Sequence, residues 1–216
     1  MQKKPAKVPV HRQPPPKQVR IIGGAWKRSQ LPVLDALGLR PTPDRVRETV
    51  FNWVSHLWDQ DWQSAEVLDL FTGSGALGFE AASRGAAAVT VVDSHPLVIK
   101  QLGEIKEKLK ADNVTVQRAD ALSAASAFGD RGARFDLVFL DPPYQQNLLS
   151  KALPLCLRLL ADEGLVYVES GLPLPFPEQA ARDGESTPDW LSPWFPVRED
   201  KAGTVFYYLL QLRAAG

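Results

Sequence analysis

The sequence has little cysteine, little histidine and no long apolar run, and each shortage excludes a class of protein. Its one cysteine, Cys156, excludes an intrachain disulfide and a cysteine-built metal site. The three histidines, His11, His56 and His95, show no metal-ligand spacing. No apolar run reaches the ~18 residues that a membrane span needs, and the N-terminus lacks the apolar region of a secretory signal. This cysteine usage fits a reducing cytosol, so we expect a cytoplasmic protein with no metal and no membrane contact.

The chain also has no net charge, because 25 Lys and Arg balance 25 Asp and Glu over 216 residues. The balance is uneven, however. Residues 1–34 hold eight basic residues and no acidic one, and the remainder holds 17 basic and 25 acidic residues. A basic arm on an acidic body is typical of proteins that bind a polyanion such as RNA, although a solubilising tail has the same composition.

The length and the hydrophobic content suit one domain with a short extension. Residues 1–18 contain five prolines and no apolar period, which predicts a disordered basic tail. Residues 19–62 predict a small N-terminal extension, with short strands around a Gly-Gly turn and then a helix. Thr42 is the predicted N-cap of that helix, and Pro43 occupies its first position.

Residues 63–216 alternate between strand and helix patterns, which predicts a mostly parallel sheet with helices on both faces. The segment 171–193 holds five prolines and is predicted to be a long irregular connection. We therefore expect an α/β, Rossmann-like fold. The predicted strands are 66–71, 88–92, 114–118, 135–140, 164–169, 194–198 and 204–210, and the predicted helices are 76–84, 95–110 and 148–160.

The first of these strands leads into a glycine loop, Gly73-Ser-Gly75-Ala-Leu-Gly78. This G-x-G-x-x-G pattern lets a backbone turn sharply and approach a nucleotide-like ligand closely. Asp93 stands 20 residues after Gly73, at the end of the second strand, where a carboxylate can accept both hydroxyl hydrogens of a ribose. The pattern predicts an adenosine-containing ligand, either NAD or S-adenosylmethionine.

Asp69, four residues before Gly73, favours S-adenosylmethionine. A carboxylate there would repel a pyrophosphate, whereas S-adenosylmethionine carries an ammonium and a sulfonium and no phosphate. The same carboxylate could instead accept hydrogen bonds from the N–H groups of its own loop. Asp120 and Ala121 follow the third strand, where an acid can reach the adenine amino group or can be a solvated turn residue.

The most specific feature is Asp141-Pro142-Pro143-Tyr144, directly after the fourth strand. Two consecutive prolines fix the backbone and supply no N–H, so the carbonyls of this turn can accept hydrogen bonds. A planar amino group can donate one hydrogen to the Asp141 carboxylate and one to such a carbonyl, and Tyr144 can stack on a base. The carboxyl edge of a parallel sheet is where such folds bind ligands. The motif therefore predicts a site that holds the amino group of a nucleobase. The alternative is a proline-rich turn that only ends the strand.

Four ordered segments resemble the bacterial 16S ribosomal RNA guanine-N2 methyltransferase family, type D. They are Arg20–Gly24, Gly38–Trp53, Asp69–Glu80 and Asp141–Tyr144. The resemblance implies a class I methyltransferase fold with a seven-stranded sheet, S-adenosylmethionine as methyl donor, and N2 of a guanine in the small ribosomal subunit as target.

The resemblance also implies a site for each partner. The S-adenosylmethionine site would contain Asp69, Phe71, Thr72, Gly73, Ser74, Gly75, Asp93, Asp120, Ala121 and Asp141. The guanine would be held by Asp141, Pro142, Pro143 and Tyr144, which we take as the catalytic residues. Our candidates for RNA phosphate contacts are Arg20, Lys27, Arg28, Arg40, Arg45 and Arg47, each of which could also be a surface residue paired with an acid.

Methyl transfer should be direct, from sulfonium to amino nitrogen, without a covalent enzyme intermediate. Asp141 then needs no raised pKa, since the alkylated nitrogen is itself strongly acidic. Cys156 lies in an apolar run typical of a core position, and the target guanine must be unpaired or flipped. We expect a monomer acting on 16S rRNA, in the small subunit or an assembly intermediate. A DNA amino methyltransferase, an NAD-dependent oxidoreductase and an idle rRNA-binding assembly factor remain as alternatives.

Overall fold

The computed structural model describes residues 18–34, 42–143, 147–184 and 186–213. The predicted tail, 1–18, lies outside the described residues except for Gln18, which belongs to the first strand. Arg40 and Tyr144 also lie outside them.

The described residues form a short hairpin and a helix, followed by alternating strands and helices. The strands are β1 (Gln18–Arg20), β2 (Gln30–Pro32), β3 (Glu66–Asp69), β4 (Ala88–Asp93), β5 (Val114–Arg118), β6 (Phe135–Leu140), β7 (Leu160–Ser170), β8 (Trp194–Ala202) and β9 (Val205–Leu212). The helices are α1 (Asp44–Leu57), α2 (Ala76–Arg84), α3 (Pro96–Leu109), α4 (Ala121–Asp130), α5 (Leu149–Cys156) and α6 (Pro177–Asp183).

Seven strands form one sheet in the order β5-β4-β3-β6-β7-β9-β8. The five strands from β5 to β7 are parallel, and β9 runs antiparallel to both of its neighbours. The chain enters the sheet at β3, moves to the edge strand β5 and returns to β6 on the other side of β3. Such a reversal opens a crevice at the carboxyl ends of the central strands, where α/β folds bind ligands. The predicted seven-stranded, mostly parallel fold is confirmed.

Both faces of the sheet are covered, as the alternation of strand and helix patterns predicted. Leu137 and Phe139 point into a core shared with α1, α2 and α3. Val138 and Leu140 point into a second core shared with α4 and α5. The two cores cover the faces of the sheet but not the carboxyl ends of its strands, where polar side chains can therefore lie close together.

Two predictions of local structure, the helix cap at Thr42 and the irregular segment 171–193, were wrong, and one helix was missed. Thr42 does not cap α1, whose N-cap is Pro43 and which has no side-chain cap hydrogen bond. The segment 171–193 is not wholly irregular, since α6 begins at Pro177, a position where proline is well tolerated in a helix. Helix α4 was not predicted at all.

The N-terminal hairpin is fastened to the C-terminal end of α2. The buried Glu80 carboxylate accepts hydrogen bonds from the N–H groups of Ile22, at 2.6 Å, and Gly23, at 2.8 Å. Gly24 has a φ of +74°, and a Cβ there would lie 1.8 Å from the carbonyl oxygen of Ser83. Glycine is therefore required for this close backbone contact, which holds the basic hairpin against the main domain.

Candidate active site

Acidic side chains end five neighbouring strands at one edge of the sheet. Asp69 ends β3 and Asp93 ends β4. Asp120 lies just beyond β5, Asp141 directly follows β6, and Glu169 is the penultimate residue of β7. Because parallel strands end at the same edge, the fold brings these five residues to the crevice beside β3. The first four were predicted as site residues, and Glu169 was not.

The glycine loop turns between β3 and α2 through left-handed backbone. Gly73 and Gly75 have φ values of 51° and 83°, and Gly75 is the N-cap of α2. Gly78 packs so closely that a Cβ there would lie 2.5 Å from a methyl carbon of Val91. Thr72 and Ser74 are buried, and Phe71 is half-buried. The loop thus presents backbone, rather than side chains, to the crevice.

The Asp69 carboxyl is only 2% exposed and lies under this loop. Its Oδ2 accepts a hydrogen bond from the Gly78 N–H at 3.1 Å, so the alternative in which it binds its own loop is confirmed. Burial raises the pKa of Asp69 to about 7, the charge of Asp93 adds to the rise, and backbone hydrogen bonds from Gly78 and Phe71 oppose it. A nearby cation would bring this carboxyl to its ionised form.

Asp93 and Asp120 both accept backbone hydrogen bonds. Asp93 Oδ2 accepts from the Gly73 N–H at 3.1 Å and its Oδ1 accepts from the His95 N–H at 2.8 Å, which ties the end of β4 to the glycine loop. Asp120 is exposed and caps α4, where it accepts from the Ser123 N–H at 2.9 Å. The ribose and adenine roles of these two acids remain predictions.

Asp141 belongs to a compact group of polar side chains. The Thr42 hydroxyl donates to Glu169 Oε1 at 2.7 Å, and Thr42 Oγ1 lies 3.4 Å from Asp141 Oδ2. The Tyr167 hydroxyl also donates to Glu169 Oε1, at 2.8 Å. Burial raises the pKa of Asp141 well above its usual range, and the charges of Glu169 and Asp69 raise it further. The sequence argument required no such rise.

Pro142 is buried, Pro143 is exposed, and Tyr144 lies outside the described residues. Sequence reasoning missed Thr42 and Glu169 as members of this site. Glu169 could have been found by the rule that selected Asp69 and Asp93, since it too is an acid at the end of an apolar strand. Thr42 offered no such signal, because its partner Glu169 is 127 residues away in the chain.

The predicted RNA contacts fall into two groups. Arg20, Lys27, Arg28 and Arg45 are exposed, so their charges lie on the surface of the hairpin and on that of α1. Arg20 also pairs with Asp44 at 2.7 Å, with 65% of its side chain still exposed.

Arg47 differs from the other predicted RNA contacts, because it is fully buried. Its guanidinium pairs with Asp44 at 2.7 Å and with Glu80 at 3.7 Å, and it donates to the carbonyl of Arg20 at 2.8 Å. Desolvation lowers the pKa of Arg47, and the two carboxylates oppose that shift. The prediction of a phosphate contact is therefore wrong for Arg47, which joins α1 to α2 and to the hairpin.

The chemistry of the crevice fits a positively charged ligand. The charges that raise the pKa of Asp141 and Asp69 are those of other carboxylates, and Asp69 is buried beneath the loop. Within the described ranges, no group of three or more His, Cys, Asp or Glu side chains is arranged to hold a metal ion. S-adenosylmethionine, with a sulfonium and an ammonium, matches this carboxylate-rich crevice, whereas the pyrophosphate of NAD would meet repulsion.

Comparisons with known proteins agree on one class. The family model described as "Conserved hypothetical protein 95" matches residues 19–210. The chain is 41% identical to ribosomal RNA small subunit methyltransferase D of Escherichia coli strain K12, over 92% of each chain. It is 38% identical to the protein of the same name from Haemophilus influenzae, over 90% of this chain and 94% of that one.

A solved structure has the same fold. The putative methyltransferase yhhF from Escherichia coli is 40% identical, with a TM-score of 0.72 over 92% of this chain and 99% of that chain. In the described part of this chain, no helix is long and apolar enough to cross a membrane.

Proposed function

Because this chain belongs to the ribosomal RNA small subunit methyltransferase D family, we propose that it transfers a methyl group from S-adenosylmethionine to N2 of a guanine in 16S rRNA. One observation carries the proposal: the glycine loop after β3 and the Asp141-Pro142-Pro143 turn after β6 meet at the carboxyl edge of adjacent strands. The first element suits the methyl donor, and the second suits an amino group that accepts the methyl.

The glycine loop and the two acids beside it would hold the methyl donor. The Gly73–Gly75 backbone allows close approach, and Asp69 places a buried carboxyl where an ammonium or sulfonium would be stabilised. The free lone pairs of a carboxylate at Asp93 suit the ribose hydroxyls, and Asp120 and Ala121 flank the place for adenine. Bound there, S-adenosylmethionine supplies an electrophilic methyl group on a good leaving group.

The turn after β6 would hold the guanine. An exocyclic amino group has two hydrogens, and Asp141 can accept one while a carbonyl of the proline turn accepts the other. This arrangement aims the nitrogen at the methyl group, so that positioning supplies most of the rate enhancement. Tyr144, which lies outside the described residues, is the proposed stacking partner of the flipped base.

The hairpin and α1 would bind the RNA backbone. Arg20, Lys27, Arg28 and Arg45 are exposed on these elements, and Glu80 and Gly24 fix the hairpin against α2. Arginine and lysine side chains on a fixed surface neutralise phosphates without reading sequence. Arg40 remains a candidate contact by its sequence alone. We propose that the protein acts in the cytoplasm as a monomer.

Radiolabelled S-adenosylmethionine and small ribosomal subunits that lack the modification test the reaction directly. We expect label in N2-methylguanosine at one site with the unmodified protein. Asp141→Ala should reduce the rate by ~100-fold or more, since it removes the oxygen that accepts the amino hydrogen and positions the nitrogen. Asp136→Ala, near the amino end of the same strand, is the matched control and should leave the rate unchanged.

The same assay separates the alternatives. Label in DNA or transfer RNA, with none in 16S rRNA, would keep the methyltransferase class and refute the substrate. Binding of S-adenosylmethionine with no label in any nucleic acid would favour an assembly factor. Stabilisation by NAD and not by S-adenosylmethionine, measured as a rise in melting temperature, would favour an oxidoreductase.

A further inference from the structure

Three side chains behind Asp141 form a chain of oxygen atoms that leads away from the methyl-transfer position. Thr42 is 4% exposed, Glu169 is 3% exposed and Tyr167 is fully buried. Thr42 Oγ1 stands between the two carboxyl groups, 2.7 Å from Glu169 Oε1 and 3.4 Å from Asp141 Oδ2. Neither Thr42 nor Glu169 is used by the mechanism described above.

The Thr42 hydroxyl faces an acceptor oxygen of each carboxyl group, Glu169 Oε1 at 2.7 Å and Asp141 Oδ2 at 3.4 Å. A threonine hydroxyl has one proton to donate and lone pairs that can accept. The shorter distance makes Glu169 the nearer acceptor of that proton, so a lone pair of Thr42 can take up a proton once Asp141 carries one. Thr42 can therefore receive a proton from Asp141 while it gives its own to Glu169.

Methyl transfer creates a need for such a path. When the methyl group moves, the positive charge passes from the sulfonium to the amino nitrogen, which must then lose a proton. The positive charge then lies on the nitrogen that Asp141 holds, and the Asp141 carboxylate is the base beside it that can take the proton. Among the described residues, the charged groups that act on Asp141 are Glu169 on β7 and Asp69 on β3.

We propose that Thr42 and Glu169 are positioning residues that carry this proton away from the acceptor nitrogen, an inference that rests on the proposed function. The N–H bond of the methylated amino group breaks, its electron pair stays on nitrogen, and an O–H bond forms at Asp141. The Asp141 proton passes to Thr42 Oγ1 as the Thr42 proton passes to Glu169 Oε1. One proton moves from nitrogen to Glu169, Thr42 ends as it began, and nothing is oxidised or reduced. Tyr167 holds Glu169 Oε1 in place.

Three substitutions at two positions test the path. Thr42→Ser keeps the hydroxyl, Thr42→Val keeps the shape without it, and Glu169→Gln keeps the shape without the carboxylate. We expect single-turnover methylation to fall by ~10- to 100-fold in Thr42→Val and Glu169→Gln, and to stay within ~3-fold of the unmodified protein in Thr42→Ser. The difference in methylation rate between these two variants and the unmodified protein should become smaller as pH rises, because solvent then accepts the proton more readily. KM for the RNA should change little.

A double variant and a second readout separate this role from a structural one. Thr42→Val combined with Glu169→Gln should be no slower than the slower single variant, because both interrupt one path. In protein labelled with ¹³C at aspartate carboxyl groups, the signal that Asp141→Asn removes should titrate at a lower pH in Glu169→Gln, since a neighbouring negative charge is gone. Melting temperature, with and without S-adenosylhomocysteine, shows that each variant is folded.

The outcomes are distinct. Equal rates for Thr42→Val and Thr42→Ser, additive losses in the double variant, or a pH profile of Glu169→Gln parallel to that of the unmodified protein would each overturn the path. If Glu169→Gln does not fold, the Thr42 pair still decides between the two results. Failure of the unmodified protein to methylate any RNA would instead refute the proposed function, and the ¹³C titration would still report whether Asp141 and Glu169 are coupled.

Discussion

Binding of S-adenosylmethionine should depend on pH through Asp69. The pKa of this buried carboxyl is about 7, so it is roughly one-tenth ionised at pH 6 and roughly nine-tenths ionised at pH 8. A cationic ligand binds the ionised form and lowers the pKa of Asp69 in the complex. Affinity therefore rises with pH, by about tenfold between pH 6 and pH 8, or ~1.4 kcal/mol. Each binding event should release close to one proton at pH 6.

Asp69 also makes the stability of the fold depend on pH, and stability changes with pH in the opposite direction to cofactor affinity. The pKa of Asp69 is about 7 in the folded protein against 3.8 ordinarily, so above pH ~4 the unfolded chain loses a proton that the folded protein keeps. The free energy of unfolding should fall as pH rises from about 4 to about 7, by up to about 4 kcal/mol from this group, and level off above that. The ligand-free protein should thus be least stable where it binds its cofactor best.

Titration calorimetry in two buffers of different ionisation enthalpy measures both the affinity and the protons released. Asp69→Asn should bind more weakly at pH 8 and show little change between pH 6 and pH 8. In Asp136→Asn, which changes a residue near the amino end of β6, the affinity should depend on pH as it does in the unmodified protein. Equal affinities at the two pH values, or the same slope in Asp69→Asn, would refute the assignment of a cation to this carboxyl.

Three further predictions concern other parts of the chain. Lys27 and Arg28 are exposed on the hairpin, and replacing both with alanine should weaken binding to an rRNA fragment without changing cofactor affinity. The slope of log K against log salt concentration should become less steep by up to ~2. An unchanged slope would show that these two residues do not contact the RNA. Glu80→Gln leaves the buried Arg47 without its second carboxylate and should lower the free energy of unfolding in urea by about 3–5 kcal/mol, while a change below 1 kcal/mol would show that Asp44 alone suffices. Cys156 is fully buried and burial raises the pKa of its thiol, so a thiol reagent should label it at the rate of unfolding; rapid labelling of the native protein would contradict the buried position.

The framework of the sheet could be predicted because strands buried on both faces are apolar throughout. The boundaries could not always be predicted, and β7 shows why. It begins at Leu160, but the exposed residues 162–163 interrupt its apolar pattern. The pairing with β6 shifts register between Phe135 and Leu137, so a bulge absorbs the polar residues while the strand continues. A bulge of this kind depends on the neighbouring strand, which a single apolar pattern does not report.

The predicted cap at Thr42 failed for a related reason. Threonine followed by proline and aspartate is the local signature of a helix start, and α1 does start two residues later. A distant partner outweighs the local preference of threonine for capping, since the Thr42 hydroxyl donates a hydrogen bond to the buried Glu169 carboxylate at 2.7 Å. Such a contact is specified by the topology, which brings the end of β7 next to the start of α1, and it is invisible to reasoning over a few neighbouring residues.

The burial of Arg47 could have been predicted from its position in the helical pattern, although its charge suggested an RNA contact. Successive helical residues are ~100° apart, so Arg45 and Arg47 point to different sides of α1, and only Arg45 is exposed. Arg47 shares the stripe of Phe51 and Val54, at helical spacings of four and seven residues, and all three are buried. A charge inside an apolar stripe requires a buried partner, which in this fold is Glu80. The segment that resembles the methyltransferase family therefore carries two kinds of arginine, one that is exposed on α1 and one that is buried and holds the hairpin in place.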